Sequence, residues 1–219
     1  MLNKTYLLFL PLLLMISSVD AQTWLGNETA AQKQQRIAGW THDRFAMLNT
    51  WGRYALPARH PWVKHHARMP IEAYERNIKL FNPDLFNPKA WAKKAKAAGM
   101  RYAVLTSKHH EGFNMFDSQF TDYKVTKTPA KRDLVKEFVE AFRAEGIKVG
   151  FYYSLLDWHH PDYTIDENHP QRPEKNSDTA YARLNKGRDM AKYRKYLYNQ
   201  VTELLTKYGK IDILWLDFS

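Results

Sequence analysis

Four apolar stretches of this 219-residue chain end in side chains that could bind or transform a ligand. The last stretch, Ile211–Asp217, ends in a carboxylate, with Trp215 two residues before it. A carboxylate at the end of a buried strand can attack an electrophilic carbon or take a proton. It can equally cap the backbone of a following helix. This stretch alone therefore leaves nucleophile and helix cap as equal alternatives for Asp217.

The other three stretches add aromatic and hydrogen-bonding groups. Thr50 and Trp51 follow the first, His109 and His110 follow the second, and Tyr152 lies near the end of the third. Aromatic faces pack against the C–H side of a sugar ring, and His, Tyr and carboxylate groups bond its hydroxyls. Since the carboxyl ends of parallel strands share one rim, we predict a sugar-binding site there.

Two other kinds of chemistry fit the spacing less well. Adjacent residues on a strand point to opposite faces, so His109 and His110 do not form a standard metal-binding pair. The other paired histidines, His65–His66 and His159–His160, are expected in loops. No serine lies in a G-x-S-x-G elbow, which argues against a serine nucleophile. We therefore expect neither a metal nor a cofactor.

The elements that must position these groups alternate between helix and strand. Glycine at the end of a helix, followed by an apolar run, recurs at Gly99, Gly146 and Gly209. The predicted strands are Phe45–Asn49, Tyr102–Ser107, Val149–Ser154 and Ile211–Asp217. The predicted helices are Ile71–Leu80, Lys89–Ala98 after Asn87 and Pro88, one opening at Asp133, and Arg188–Tyr208. Continuously apolar strands between helices predict a parallel α/β sheet, either open and doubly wound or part of a barrel.

The amino terminus has the pattern of a secretory signal over residues 1–21. Lys4 precedes the apolar run Tyr6–Ile16, and the small residues Val19 and Ala21 follow it. This run is too short to cross a bilayer, so we expect no membrane association after cleavage. The protein would then be secreted or periplasmic, or lysosomal in a eukaryote.

Composition and net charge indicate which kinds of binding partner to expect. The chain has no cysteine and a net charge of +10, so a secreted domain of this kind is held by its core and not by disulfides. The basic residues are scattered over predicted helix faces without a nucleic-acid motif, and we expect no nucleic-acid partner. Binding of a sulfated polysaccharide remains an alternative that rests on charge alone.

Several motifs together resemble the α-L-fucosidase family of glycoside hydrolases. They are Arg44–Gly52, Lys108–Phe113, Lys131–Val135, Gly150–Ser154 and Leu214–Asp217. The similarity runs from about Trp40 to Ser219, and the tandem histidines combined with a Trp-x-Asp strand make it specific.

This resemblance implies a parallel (β/α)8-like TIM barrel, usually followed by a β-sandwich, that acts as a retaining exo-α-L-fucosidase. The family's nucleophile corresponds to Asp217, and its tandem histidines, which hold the sugar hydroxyls, correspond to His109 and His110. The family tyrosine corresponds to Tyr152, and Trp215 lies beside the nucleophile. The remaining implied substrate-binding residues are Trp62, on the methyl side of the sugar, together with Trp51 and Thr50. The implied partner is a fucosylated glycan or oligosaccharide, and homo-oligomer formation is left open.

The sequence departs from the family pattern at two positions. Thr50 and Pro61 stand where the family usually has His and Glu, both of which touch the sugar. A carbohydrate-binding pseudoenzyme of the same fold is therefore the alternative to the hydrolase.

The family's acid/base glutamate has no counterpart among these residues, and Glu111 and Asp157 are expected to position loops. We therefore interpret the chain as a fragment. It would comprise an arm over residues 22–39 and about the first half of the barrel over residues 40–219. A half-barrel without a function of its own is the remaining alternative, and it predicts exposed apolar edges.

Overall fold

The computed structural model describes residues 28–175 and 177–218. The predicted signal over residues 1–21 lies outside them. The chain divides into two units between Ala38 and Gly39. In the described part of the first unit, the Arg36 guanidinium donates to the Glu28 carboxylate at 2.8 Å. The proposed domain boundaries stay a prediction.

The second unit is built on a parallel sheet of four strands in the order β1-β2-β3-β4. The strands are β1 (Ala46–Asn49), β2 (Tyr102–Lys108), β3 (Lys148–Ser154) and β4 (Ile213–Asp217). All three pairings are parallel, so the predicted parallel α/β sheet is confirmed. Parallel order places the carboxyl ends of all four strands at one rim.

Helices connect the strands, and their first residues follow ordinary capping chemistry. The α-helices are α1 (Ala30–His42), α2 (Val63–His66), α3 (Ile71–Glu75), α4 (Pro88–Ala97), α5 (Leu134–Ala144), α6 (Asp178–Leu184) and α7 (Met190–Lys207), with 3-10 turns at Arg53–Ala55, Arg76–Leu80 and Val125–Lys127. The side chains of Asn87, Asp133 and Asp189 accept hydrogen bonds from the first backbone N–H groups of α4, α5 and α7. The predicted helix Ile71–Leu80 is an α-helix only to Glu75, where it tightens into a 3-10 turn.

Helix α5 shows how the sheet is covered. Its apolar residues are buried on one face: Leu134, Val135, Phe138, Val139 and Phe142. The rings of Phe138 and Phe142 lie 4.3 Å apart within the main core. Fully burying a side chain of this size contributes roughly 1.5–3 kcal/mol. This packing holds β2 and β3 in place, and most of the polar side chains at the rim lie on these two strands or directly after them.

A bulge near the end of β2 changes the direction of the chain before the tandem histidines. Thr106 pairs with Tyr152 and Lys108 pairs with Tyr153, so β2 has one residue more than β3 in this interval. The extra residue is Ser107, whose hydroxyl donates to the Tyr152 carbonyl at 2.8 Å. Bulges of this kind re-aim the side chains that follow them.

Candidate active site

His109 and His110 lie in a tight turn just beyond β2. The turn is closed by the Gly112 N–H, which donates to the His109 carbonyl at 2.9 Å. Because neither residue belongs to the strand, the strand rule that would separate their side chains does not apply. Their ring centroids are 4.0 Å apart, and both residues are buried, at 4% and 1% exposure. The turn thus brings both imidazoles to the same side.

Both imidazoles are neutral. Burial, followed by the neighbouring His110, lowers the pKa of His109 to about 2. Burial, followed by the Lys108 ammonium, lowers the pKa of His110 to about 3. Within the described residues His109 Nδ1 has no hydrogen-bond partner. A buried polar nitrogen left without a partner is unfavourable by roughly 1–3 kcal/mol.

The carboxylate of Asp217 lies at the end of β4, beside these rings. One oxygen accepts from the Phe218 N–H at 3.0 Å, and the other accepts from the Tyr152 hydroxyl. The second oxygen is 3.8 Å from His110 Nε2, and the carboxylate side chain remains 34% exposed. Burial, and then the Asp217 carboxylate, raise the pKa of Tyr152 above its usual range, so its phenol stays a donor. Asp217 is therefore held at both oxygens while open to a ligand.

The backbone after Asp217 adopts an unusual conformation. Phe218 has a φ of +63°, in the left-handed region that a residue with a Cβ seldom occupies. This turn directs the Phe218 N–H toward the Asp217 carboxylate and brings the Phe218 ring edge-on to His110, with centroids 5.1 Å apart. Such strain is concentrated at functional sites in proteins.

Aromatic rings line the same space. The ring of Trp62, which follows Pro61, lies 4.9 Å from His110 and 5.8 Å from Phe218, measured between centroids. Trp215 is 49% exposed and lies 6.5 Å from the Tyr152 ring. The structure thus brings Trp62, Trp215 and the polar groups of β2, β3 and β4 to one rim.

Two residues expected at the site lie elsewhere or are unengaged. Trp51 is half-buried, packs against the core and stacks on Phe86 with a centroid separation of 5.3 Å. Thr50 is exposed, and Pro61 is half-buried. A role for Trp51 or Thr50 in substrate binding stays a prediction.

The two other carboxylates on the rim loops are already engaged. Glu111 is buried and accepts from the Tyr74 hydroxyl at 3.1 Å, and burial raises its pKa to about 7. Asp157 is buried against the Lys108 ammonium at 3.0 Å. Its other oxygen accepts from the His159 and His160 N–H groups. These contacts fit the expectation that both carboxylates position loops.

Sequence reasoning assigned no role to several residues that contact the site. Ser154 contacts His110, and Trp158 is fully buried beside both His110 and Trp62. The buried cation of Lys64 donates to the Trp158 carbonyl at 3.3 Å. A polar residue next to a strand end was the available sign for Ser154, but its partner depends on how two loops meet.

No group of three His, Cys, Asp or Glu side chains in the described part of the chain has an arrangement suited to a metal ion. The polar groups at the rim are two imidazoles, one phenol and one carboxylate. That set can orient several hydroxyls while placing one anionic oxygen against a ligand carbon.

Comparison with known proteins identifies the family. A sequence model of the family described as Alpha-L-fucosidase matches residues 12–219. The chain belongs to this family. The suspected resemblance is therefore confirmed, and the chain is a member of a glycoside hydrolase family.

Solved fucosidase structures share the fold. Alpha-L-fucosidase isoenzyme 1 from Paenibacillus thiaminolyticus is 55% identical, with a TM-score of 0.79 over 85% of this chain and 44% of that one. An alpha-L-fucosidase from Bacteroides thetaiotaomicron, trapped as a covalent intermediate with 2-fluoro-fucosyl fluoride, is 32% identical, with a TM-score of 0.69 over 84% of this chain and 41% of that one. These relatives are (β/α)8 barrels, and the described sheet matches part of such a barrel, which confirms the predicted fold class.

Curated relatives give the same picture. Human plasma alpha-L-fucosidase is 37% identical over 153 residues, which cover 62% of this chain and 33% of that protein. The present chain spans less than half the length of these fucosidases.

Proposed function

We propose that these residues supply the nucleophile and the sugar-orienting side of a retaining exo-α-L-fucosidase. The observation that carries this proposal is the position of Asp217. Its carboxylate is fixed by Tyr152 and the Phe218 backbone, lies 3.8 Å from His110, and keeps one third of its surface open. Within the described residues the Asp217 carboxylate contacts the Tyr152 phenol, the His110 imidazole and the adjacent Phe218 N–H.

The proposed reaction has two displacement steps at the anomeric carbon of a terminal α-L-fucosyl unit. Asp217 forms a bond to that carbon while the bond to the leaving oxygen breaks, and a proton donor protonates the leaving oxygen. Water then attacks the same carbon, loses a proton to that donor's conjugate base, and releases Asp217. The trapped covalent intermediate of the Bacteroides relative supports this route.

The remaining site residues orient the sugar. His109 and His110 bond its hydroxyls. Trp62 and Trp215 supply apolar faces for the ring and its methyl group. Tyr152 holds the carboxylate so that it points at the anomeric carbon.

The proton donor is proposed to lie outside the described residues. Retention needs a second carboxyl group ~5–5.5 Å from the nucleophile. Glu111 is bonded to Tyr74 and Asp157 to Lys108, and both are fully buried, so neither is available to a leaving group.

The test is Asp217→Gly in the complete gene product, with an aryl α-L-fucoside as substrate. We expect kcat to fall by several orders of magnitude, since the covalent route carries much of the acceleration. Added azide should restore turnover and yield a fucosyl azide of inverted configuration, because the small anion can occupy the space left by the carboxylate. Undiminished turnover in Asp217→Gly would refute the proposal.

A matched pair of isosteric variants separates chemistry from folding. Asp217→Asn should abolish turnover. Asp212→Asn changes the same residue type just before the same strand, where the side chain accepts from the Val149 N–H at 3.0 Å. Asparagine can still accept that bond, so Asp212→Asn should keep its activity.

A carbohydrate-binding pseudoenzyme is the second candidate, favoured by Thr50 and Pro61. Thr50 is exposed beside the site and contributes only a short hydroxyl, and Pro61 contributes no polar side chain. This candidate predicts fucose binding by calorimetry with no hydrolysis in the complete gene product. It also predicts that Thr50→His together with Pro61→Glu creates or raises fucosidase activity.

The proposed substrate is a fucosylated glycan or oligosaccharide outside the cytoplasm. Export rests on the signal pattern in residues 1–21, which lie outside the described residues. None of the helices in the described ranges has the length and apolar character needed to cross a bilayer.

A further inference from the structure

Ser154 is a buried hydroxyl at the end of β3 that contacts both a backbone carbonyl and a site histidine. Its side chain is fully buried. Its oxygen lies 3.0 Å from the Leu156 carbonyl oxygen and 2.6 Å from His110 Nδ1. Neither contact was expected from the sequence, and the proposed reaction assigns Ser154 no role.

The two contacts decide where the protons lie. A carbonyl oxygen can only accept, so the Ser154 hydroxyl proton points at Leu156. Both contacts are hydrogen bonds at once only if the Ser154 oxygen accepts from His110, with the His110 proton on Nδ1. Burial lowers the pKa of His110 to about 3, so the ring carries a single proton and Nε2 has a free lone pair.

The lone pair on His110 Nε2 faces a carboxylate oxygen of Asp217, which is also a hydrogen-bond acceptor. Nε2 is 3.8 Å from the Asp217 oxygen, and this oxygen already accepts from Tyr152. An unprotonated nitrogen and a carboxylate oxygen cannot bond to each other, so a donor is needed near both. A sugar hydroxyl can donate to Nε2, and it would occupy the open side of the carboxylate.

We propose that Ser154 is a positioning residue that holds His110 with its proton on Nδ1, so that Nε2 accepts a hydrogen bond from a sugar hydroxyl and donates none to Asp217. This inference rests on the proposed function. A histidine that donated from Nε2 to Asp217 would withdraw charge from the attacking oxygen and lower its nucleophilicity. Ser154 therefore prevents His110 from donating a hydrogen bond to the Asp217 carboxylate. It also makes His110 an acceptor, so that His110 binds a sugar hydroxyl that donates to it.

The first experiment reads the tautomer directly by nitrogen NMR on protein labelled at histidine. The chain has 9 histidines, and His110→Asn assigns the His110 signals by their disappearance. Unaltered protein should show a protonated Nδ1 and an unprotonated Nε2. Ser154→Ala should shift the proton toward Nε2, because the acceptor for Nδ1–H is gone and the Asp217 carboxylate can accept instead.

A control is available at Thr128. Its side chain is also buried, and its hydroxyl also donates to a backbone carbonyl, that of Val125, at 2.7 Å. Thr128→Val removes a comparable bond outside the turn that carries His110, so its His110 signals should match the unaltered protein. Ser154→Thr keeps the hydroxyl and should keep the Nδ1–H signal. A protonated Nε2 in the unaltered protein, or an unchanged tautomer in Ser154→Ala, would overturn the proposal.

The second experiment tests the acceptor role with aryl fucosides altered at C3 or C4. Fluorine can accept weakly but cannot donate. If His110 accepts, replacing the hydroxyl that it contacts by fluorine should lower kcat/KM as much as replacing it by hydrogen, at least tenfold. If fluorine restores most of the loss at both positions, the acceptor role is refuted.

The kinetics of Ser154→Ala complete the test. We expect kcat to fall about tenfold or more, as misdirected second-layer partners do in other enzymes, and Ser154→Thr to recover most of the loss. A kcat equal to that of the unaltered enzyme would contradict the proposed protection of the nucleophile. Should no fucoside be hydrolysed by any form, the proposed function fails, whereas the tautomer measurement still decides the placement of the proton.

Discussion

The two central strands and the two outer strands of the sheet differ in how completely the described chain surrounds them. β2 and β3 each pair with a strand on both sides, and the turn after β2 is buried, including His109 and His110. β1 and β4 each pair with one strand in the described part of the chain. They leave Leu48 51% exposed and Trp215 49% exposed.

This difference divides the proposed site into two parts. The sugar-orienting side chains on the central strands are fixed by hydrogen bonds and packing from several loops. The nucleophile on β4 depends on Tyr152 of β3 and on its own backbone. The central part is therefore expected to tolerate substitution poorly, and in this 219-residue chain substitutions on the outer strands should affect stability less.

The largest expected effect on stability is at the ion pair beneath the central loops. Lys108 and Asp157 are both buried, and their charged atoms lie 3.0 Å apart. Lys108→Met would leave the Asp157 carboxylate buried without its cation. We expect a loss of roughly 3–5 kcal/mol in the free energy of unfolding, measured by urea denaturation.

A double variant tests whether the uncompensated charge is the cause. Asp157→Asn removes the charge and keeps an oxygen for the His159 and His160 N–H groups. Adding it to Lys108→Met should recover part of the lost stability. If the two effects simply add, the ion pair does not explain the loss.

The next prediction compares the same substitution, leucine to alanine, at two positions on adjacent strands. Leu105 on β2 is fully buried, whereas Leu48 on β1 is 51% exposed. Leu105→Ala should lower the free energy of unfolding by roughly 2–5 kcal/mol, because it leaves a cavity. In this 219-residue chain, where β1 pairs only with β2 among the described residues, Leu48→Ala should lower it by less than about 1 kcal/mol. Equal losses in the same denaturation measurement would mean that β1 is as enclosed as β2.

Lowering the pH should also reduce stability, because three buried histidines are neutral in the folded chain. Burial lowers the pKa of His109 to about 2 and the pKa values of His110 and His169 to about 3, all below the ordinary histidine value of 6.5. Below pH 6.5 the unfolded chain therefore binds protons that the folded chain does not. This stability is complete above pH 6.5 and is lost as pH falls, at ~1.4 kcal/mol per pH unit for each histidine.

One buried carboxyl acts in the opposite direction. Burial raises the pKa of Glu111 to about 7, so its contribution is lost as pH rises from its unfolded value toward 7. Three histidines outweigh one glutamate, and stability should rise with pH between 4.5 and 6.5. His169→Gln should reduce the slope, and His66→Gln, which changes an exposed histidine, should not. A slope unaffected by His169→Gln would contradict this account.

The sequence predicted the helices and strands more accurately than the residues at which they begin and end. The strand centres, the parallel order and the caps at Asn87 and Asp133 were all predicted, because they follow from local apolar runs and capping chemistry. The last strand begins at Ile213, two residues later than expected. The reason is that the Asp212 side chain accepts from the Val149 N–H, a contact between residues far apart in the chain.

The sequence by itself determined the family, the parallel α/β sheet and the group of polar and aromatic residues at the strand ends, since each depends on residue type and spacing. Only the tertiary structure decided how they are used. The bulge at Ser107 and the turn at Gly112 direct two adjacent imidazoles to one side. The packing of Trp51 against the core and the contact of Ser154 with His110 likewise arise where separate loops meet. Hydrogen bonds and ring contacts between distant segments leave no periodic trace in a single sequence, so the contact on which the proposed His110 tautomer rests became evident only from the folded chain.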